Sequence, residues 1–397
     1  MKTAIITSNS SINHLTGDGH PEQPKRILSI TETLKKRKDL IWKTPEDVPE
    51  EILKITHTDE YINLIKKSFP SNGLKFLDGD TVISPGSKKA VYDNRIFVTE
   101  KGGTIRVIEN DQLLESPLAT FRTPNVFDGG LLGIAVHPNF SNNNFLYVFL
   151  TYDENGNLWN KVLRITEENN KLKDVEIIID KIPGSSFYNG GFLKFGPDEK
   201  LYVGTGTVSD DSHLPQDINS LAGKILRLND DGTIPSDNPF TNSPVYSLGH
   251  RHTQGMTWDD QNNLYVAEFG PEKNDEINLI KSGKNYGWPE QQCTGSDDFE
   301  NAILCYDPSI EPGGILFYSG DKINFESKFI LASMRASNLY QVDFEEGLSS
   351  QKSILSGNGR IRDVVEGADG SIYVITSNTD GKGFPDRLDD RLLRILK

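Results

Sequence analysis

From residue 96 onward one hydrophobic pattern recurs six times. It is a short apolar run with an aromatic or branched second position: Ile96-Phe97-Val98-Thr99, Leu146-Tyr147-Val148-Phe149, Leu201-Tyr202-Val203-Gly204, Leu264-Tyr265-Val266-Ala267, Phe329-Ile330-Leu331-Ala332 and Ile372-Tyr373-Val374-Ile375. The copies lie 50, 55, 63, 65 and 43 residues apart. A polar turn precedes most of them, as in Asn142-Asn143-Asn144, Asp260-Gln261-Asn262-Asn263 and Asp369-Gly370. Before the turn comes a second apolar run, such as Leu131–Val136, Gly191–Phe195 or Gly255–Trp258. Strand, Asp/Asn/Gly turn, strand is the hairpin signature. A generic β-sandwich has hairpins too, but six copies at a spacing near 50 residues fit blades of about four strands each. The pattern predicts an all-β, six-bladed β-propeller over residues 91–397.

The first blade is predicted to be incomplete. Ile96-Phe97-Val98 has its turn, Asp93-Asn94, but only Ala90-Val91-Tyr92 precedes it. Arg391–Leu396 is the expected ring-closing strand, and a defective first blade would leave a strand edge exposed. Residues 1–90 follow a different pattern and read as a small α/β fragment. Arg26–Leu34 and Asp59–Ile65 carry helical spacing, with Thr58 placed to cap the second.

Composition changes this picture little. The chain has 397 residues with 35 Gly and 20 Pro, which suits a turn-rich β protein. Its formal net charge of −15 argues against nucleic acid as a partner. No run approaches the roughly 20 apolar residues of a membrane span. The opening Met1–Asn9 lacks the apolar run of a secretory signal, which predicts a cytoplasmic location for the chain as written. Cys293 and Cys305 flank a polar loop and are expected to form a disulfide, a feature of oxidising compartments and hence of an extracytoplasmic ancestor.

Candidate chemistry sits in Gly- and Pro-rich loops, where propellers carry function. Arg251, Arg335, Arg360 and Arg362 are four arginines in an acidic chain. Arg360 and Arg362 are two apart, so on a strand they face one side. Such a pair suits a polycarboxylate, and the bland alternative is a set of separate salt bridges. The carbonyls of Gly270 and Pro271, amid acidic residues, suit a hard cation such as Ca²⁺.

These loops resemble the soluble quinoprotein glucose/sorbosone (aldose sugar) dehydrogenase family. The matching segments are Gly249–Met256, Glu268–Asn278, Asn285–Pro289, Asn358–Val364, Val98–Gly103, Gly129–Gly133, Leu221–Arg227 and Asp231–Phe240. The resemblance runs from about 92 to 397. It implies pyrroloquinoline quinone (PQQ) and Ca²⁺ at the channel mouth, oxidation of a sugar's C1 hydroxyl, and an external electron acceptor. It implies that Arg251, His252, Arg360 and Arg362 hold the cofactor, with Arg335 where a Lys is usual. It also implies that Gly270 and Pro271 ligate Ca²⁺ and that Asp275 orients the general base. Two positions depart from the family. Tyr188 stands where the base His is expected, and His252, standing in place of an Asn, is a catalytic candidate that would compensate for the missing base. With a reference pKa of about 10, a Tyr is a weak base, which points to impaired turnover or to a catalytically silent carbohydrate- or protein-binding propeller.

Residues 1–90 resemble the opening of histone deacetylases and acetylpolyamine amidohydrolases, through His14–Arg26, His57–Tyr61 and Asp78–Ser87. That family's zinc ligands and tandem His pair are missing from the fragment, so no deacetylase activity and no bound zinc are expected.

Overall fold

The computed structural model describes residues 95–395 apart from 110–111, 125, 211, 321–322, 326–327, 345–350 and 368–369; before 95 it describes only 3–6, 29, 31, 35–36, 40–43, 75–76 and 82–83. The chain divides into two compact units, Met1–Asn94 and Arg95–Lys397. In the first unit Thr3–Ile6 pairs in parallel with Leu40–Lys43, and Lys75–Phe76 pairs antiparallel with Val82–Ile83. Ser29, Thr31 and Lys35 are helical, while the expected helix over Asp59–Ile65 lies outside the described residues, as do His14, His20 and His57.

The second unit is the six-bladed propeller. Blades two to five each have four antiparallel strands in chain order, beginning with the inner strands Leu131–Val136, Gly190–Phe195, Thr253–Trp258 and Pro312–Phe317. Blade six has three described strands and starts with Ile361–Glu366. The recurring apolar runs are the second strands. Leu201–Thr205 is buried at all five positions, because each blade is covered on both faces by its neighbours. The core is therefore built between blades: Tyr147, Phe149 and Val162 of blade two pack with Leu193, Val203 and Leu226 of blade three.

Inner strands approach closely around the channel. A Cβ on Gly255 would lie 2.7 Å from the Gly313 carbonyl oxygen, and one on Gly314 would lie 1.8 Å from Asp363 Oδ1. Only residues without a side chain fit there.

The first described strand of blade one is its second-strand equivalent, and the residues where an inner strand is expected to be missing lie outside the described residues. Arg95–Glu100 pairs with Thr104–Glu109 and is the innermost described strand of its sheet. The expected closure is corrected. Leu392–Ile395 pairs with Ile372–Thr376 as the third strand of blade six, and among the described residues it has no pairing with blade one. Its apolar face is already used inside its own blade, where Leu393 and Ile395 pack on the Ile372 and Val374 cluster. Cys293 and Cys305 form the expected disulfide, with Cα atoms 5.8 Å apart. No helix among the described residues is long and apolar enough to cross a membrane.

Candidate cofactor and active site

Propeller topology brings the candidate residues to one end. In each blade the inner strand leaves that end, turns back, and the second strand returns to it. Residues just before an inner strand and just after a second strand therefore meet around one channel mouth. Asp128, Tyr188, Arg251, His252, Glu311 and Arg360 precede inner strands, and Arg362 lies near the start of one. Asp210, Gly270, Pro271, Met334, Arg335 and Asp380 follow second strands.

Two clusters form at this mouth. In the first, Arg251 Nε donates to Asp210 Oδ1 at 2.8 Å, and its terminal nitrogen donates to the carbonyls of Phe269 at 3.0 Å and Gly270 at 2.7 Å. The guanidinium lies 4.3 Å over the Tyr188 ring. The backbone N–H of Arg251 is held at 3.0 Å by Glu268, whose other oxygen is 2.6 Å from His250 Nδ1. Burial alone would push Glu268 up, but His250, Asn278 and the Arg251 N–H together hold its pKa below the usual value. This buried pair fixes the backbone from which Arg251 and His252 project.

Tyr188 has φ 57°, a left-handed conformation that side chains other than Gly seldom adopt. Its N–H is anchored to Asp128 Oδ2 at 3.1 Å and its hydroxyl donates to Asp210 Oδ2 at 3.3 Å. Burial raises its pKa despite the opposing pull of Arg251, so the phenol stays protonated near neutrality. His252 is buried edge-on to this ring at 5.7 Å. Its Nδ1 accepts the Gly190 N–H at 3.2 Å, and its Nε2 sits 3.0 Å from the Gln254 amide. Burial lowers its pKa to about 4, with Arg251, Arg362 and Lys382 adding to the effect and Asp128 opposing it. The ring is neutral at pH 7.

The second cluster is organised by Glu311. Its two oxygens bind Arg335 at 2.8 Å and Arg360 at 2.9 Å. Burial would raise Glu311, but Arg360, Lys382 and Arg335 outweigh it and hold the pKa low. Arg360 Nε also donates to Asp380 at 2.7 Å. Arg360 and Arg362 share the Met334 thioether, at 3.7 and 3.3 Å, so the two guanidiniums do face one side. Arg362 has no carboxylate within ion-pairing distance among the described residues. Water reaches part of it, yet the surrounding protein desolvates it and lowers its pKa against the pull of Asp128, Asp363 and Asp380. The salt-bridge alternative thus describes Arg251, Arg335 and Arg360 but not Arg362.

Among the described residues Asp275 makes no hydrogen bond to Tyr188, which stands at the expected base position. It is fully buried, and its oxygens accept from Gly270 N at 2.9 Å, Ser309 Oγ at 2.7 Å, Ile310 N at 2.7 Å and Glu311 N at 2.9 Å. It instead ties the Gly270-Pro271 turn of the first cluster to Glu311 of the second. Sequence reasoning missed Glu311, whose one signal is its place before an inner strand, and it missed Asp128 and Asp210, which read as loop polar residues.

The donor set fits an anionic, multiply carboxylated group. Arg362 is short of a partner, Arg251 and Arg360 flank the same mouth, and the Gly270 carbonyl points at a cation already, the Arg251 guanidinium.

The family profile described as Glucose / Sorbosone dehydrogenase matches residues 84–394. The chain is 28% identical over 337 residues to the aldose sugar dehydrogenase of Escherichia coli, a match covering 76% of this chain and 90% of that one. It is 26% identical to quinoprotein glucose dehydrogenase B of Acinetobacter calcoaceticus, over 73% of this chain and 82% of that one. Among solved structures, the PQQ-bound aldose sugar dehydrogenase of Streptomyces coelicolor superposes with a TM-score of 0.68 at 33% identity, covering 76% of this chain and 90% of that one.

Proposed function

The chain belongs to the glucose/sorbosone dehydrogenase family, and from that premise we propose that it oxidises an aldose sugar at its C1 hydroxyl, with pyrroloquinoline quinone as oxidant and Ca²⁺ as its partner. The observation that carries this reading is Arg362, a desolvated guanidinium without a carboxylate partner among the described residues, beside Arg360 at the channel mouth. A quinone with several carboxylates complements that arrangement.

When bound, the quinone supplies the hydride acceptor. Arg251, Arg360 and Arg362 hold its carboxylates, with Arg335 and His252 lining the same pocket. The Gly270 and Pro271 carbonyls would ligate Ca²⁺. Arg251 donates to the Gly270 oxygen at 2.7 Å, so a Ca²⁺ held there would compete with this guanidinium for the carbonyl. Asp275 anchors the Gly270 turn through its N–H. Tyr188, with its pKa raised, borders the substrate as a hydrogen-bond donor rather than a base. Electrons leave to an external acceptor, and the disulfide suits an oxidising compartment.

The same phenol favours a second reading, a catalytically silent carbohydrate- or protein-binding propeller. Reconstitution with quinone and Ca²⁺, followed by dye reduction with a panel of aldoses, separates the two. Dye reduction dependent on quinone and aldose supports the dehydrogenase. Quinone uptake with no dye reduction by any aldose supports the silent propeller.

A further inference from the structure

If sugar oxidation takes place here, a group must accept the proton of the C1 hydroxyl, and the two residues nearest the expected position do not qualify. The Tyr188 phenol is protonated and donates to Asp210. His252 has its Nδ1 engaged by the Gly190 N–H.

The carboxylates at the mouth differ sharply in their engagement. Asp210 is held by Arg251 and Tyr188. Glu311 is divided between Arg335 and Arg360. Asp380 binds Arg360 and the Lys382 N–H. Asp128 is the exception. Its Oδ2 accepts the Tyr188 N–H at 3.1 Å, while Oδ1 has no hydrogen-bond partner among the described residues.

Its position is central and fixed. Asp128 leads into blade two at this mouth, and of the carboxylates acting on His252 and Arg362 it exerts the strongest pull on both. Its N–H donates to Ser186 O at 2.9 Å, and just after it Leu131 N donates to Lys101 O at 3.1 Å while Thr151 N donates to Gly130 O at 2.8 Å. The turn packs closely on blade one: a Cβ on Gly130 would lie 2.2 Å from Lys101 O. The titratable and charged groups around Asp128 are Lys101 on blade one, Tyr188 before blade three, His252 before blade four and Arg362 on blade six.

We propose that Asp128, rather than Tyr188, is the catalytic base of this chain, its Oδ1 taking the proton of the sugar's C1 hydroxyl. This rests on the dehydrogenase reading above. The sugar O–H bond breaks and an O–H bond forms on Asp128. The C1–H bond breaks as hydride leaves for the o-quinone oxidant, so C1 is oxidised to the lactone level and the quinone is reduced by two electrons. The family's base position has become a turn residue, and the neighbouring loop supplies the carboxylate.

The test measures quinone uptake by absorbance and then dye reduction, in wild type, D128N, D128A, D128E and Y188F. D128N is expected to take up quinone at least as tightly as wild type, since it removes a negative charge beside Arg362. Its turnover is expected to fall about 10²–10⁴-fold. Added formate is expected to restore part of the turnover of D128A, D128E to recover part of it, and Y188F to lose far less than D128N. A D128N enzyme that binds quinone and turns over within threefold of wild type overturns the assignment, as does Y188F falling as far as D128N without formate rescue of D128A. Absence of quinone uptake by wild type overturns the dehydrogenase reading itself, and the role of Asp128 with it.

Discussion

Replacing His252 by Asn should make the protein less sensitive to mild acid. His252 is buried, its Nδ1 is engaged by the Gly190 N–H, and burial lowers its pKa to about 4. In the unfolded chain an ordinary His titrates near 6.5. A group whose folded pKa is depressed costs stability as pH falls, because the unfolded state binds the proton first. For this His the loss begins near pH 6.5 and is complete below about 4. Between pH 8 and pH 5 the linkage integral gives about 2 kcal/mol for this one group. Urea unfolding of both proteins, followed by tryptophan fluorescence at pH 8 and pH 5, isolates it. Buried carboxylates act in the opposite direction: burial raises Glu276 to about 7, with Glu268 adding to it, raises Asp363 to about 6, and also raises Asp275. Both variants carry these carboxylates, so they cancel in the comparison. H252N carries a constant penalty for the orphaned Gly190 N–H at either pH. The gap between wild type and H252N should shrink by about 2 kcal/mol, or reverse, on going from pH 8 to pH 5. An unchanged gap would mean that His252 titrates as it does in water, and the buried neutral ring would be wrong.

Two further outcomes follow from the geometry. Cys293→Ser removes a crosslink closing a 12-residue separation and should cost about 3 kcal/mol of urea stability, an effect that dithiothreitol reproduces in wild type and not in the variant. Asp275→Asn places an amide among four donors and should cost about 1–3 kcal/mol while weakening quinone uptake, because the Gly270 turn and Glu311 lose their common anchor; unchanged uptake would show that the two clusters are positioned independently.

The propeller was legible because its second strands are covered on both faces, so each appears in the sequence as an unbroken apolar run such as Leu201-Tyr202-Val203. Ring closure was not legible, since the sequence of Arg391–Leu396 marks a strand without naming its neighbour. The convergence of Arg251, Arg360 and Arg362 followed from loop position and from the resemblance. The role of Asp275 did not, because three of its four donors lie at Ser309, Ile310 and Glu311, more than thirty residues away. Asp128 carried no signal beyond an Asp before a Gly pair, which is also the composition of an ordinary turn. The expectations for the region before residue 91 fall almost entirely outside the described residues.

The claim on which the account turns is that Arg362 and its neighbours bind an anionic quinone at the propeller mouth. Equilibrium titration of wild type and R362Q with quinone in the presence of Ca²⁺ tests it most directly. Loss of a charge-assisted contact predicts uptake of one equivalent by wild type and an affinity about 10–100-fold weaker in R362Q, equivalent to about 1.5–3 kcal/mol. Equal affinity in the two proteins, or uptake by neither, would contradict it.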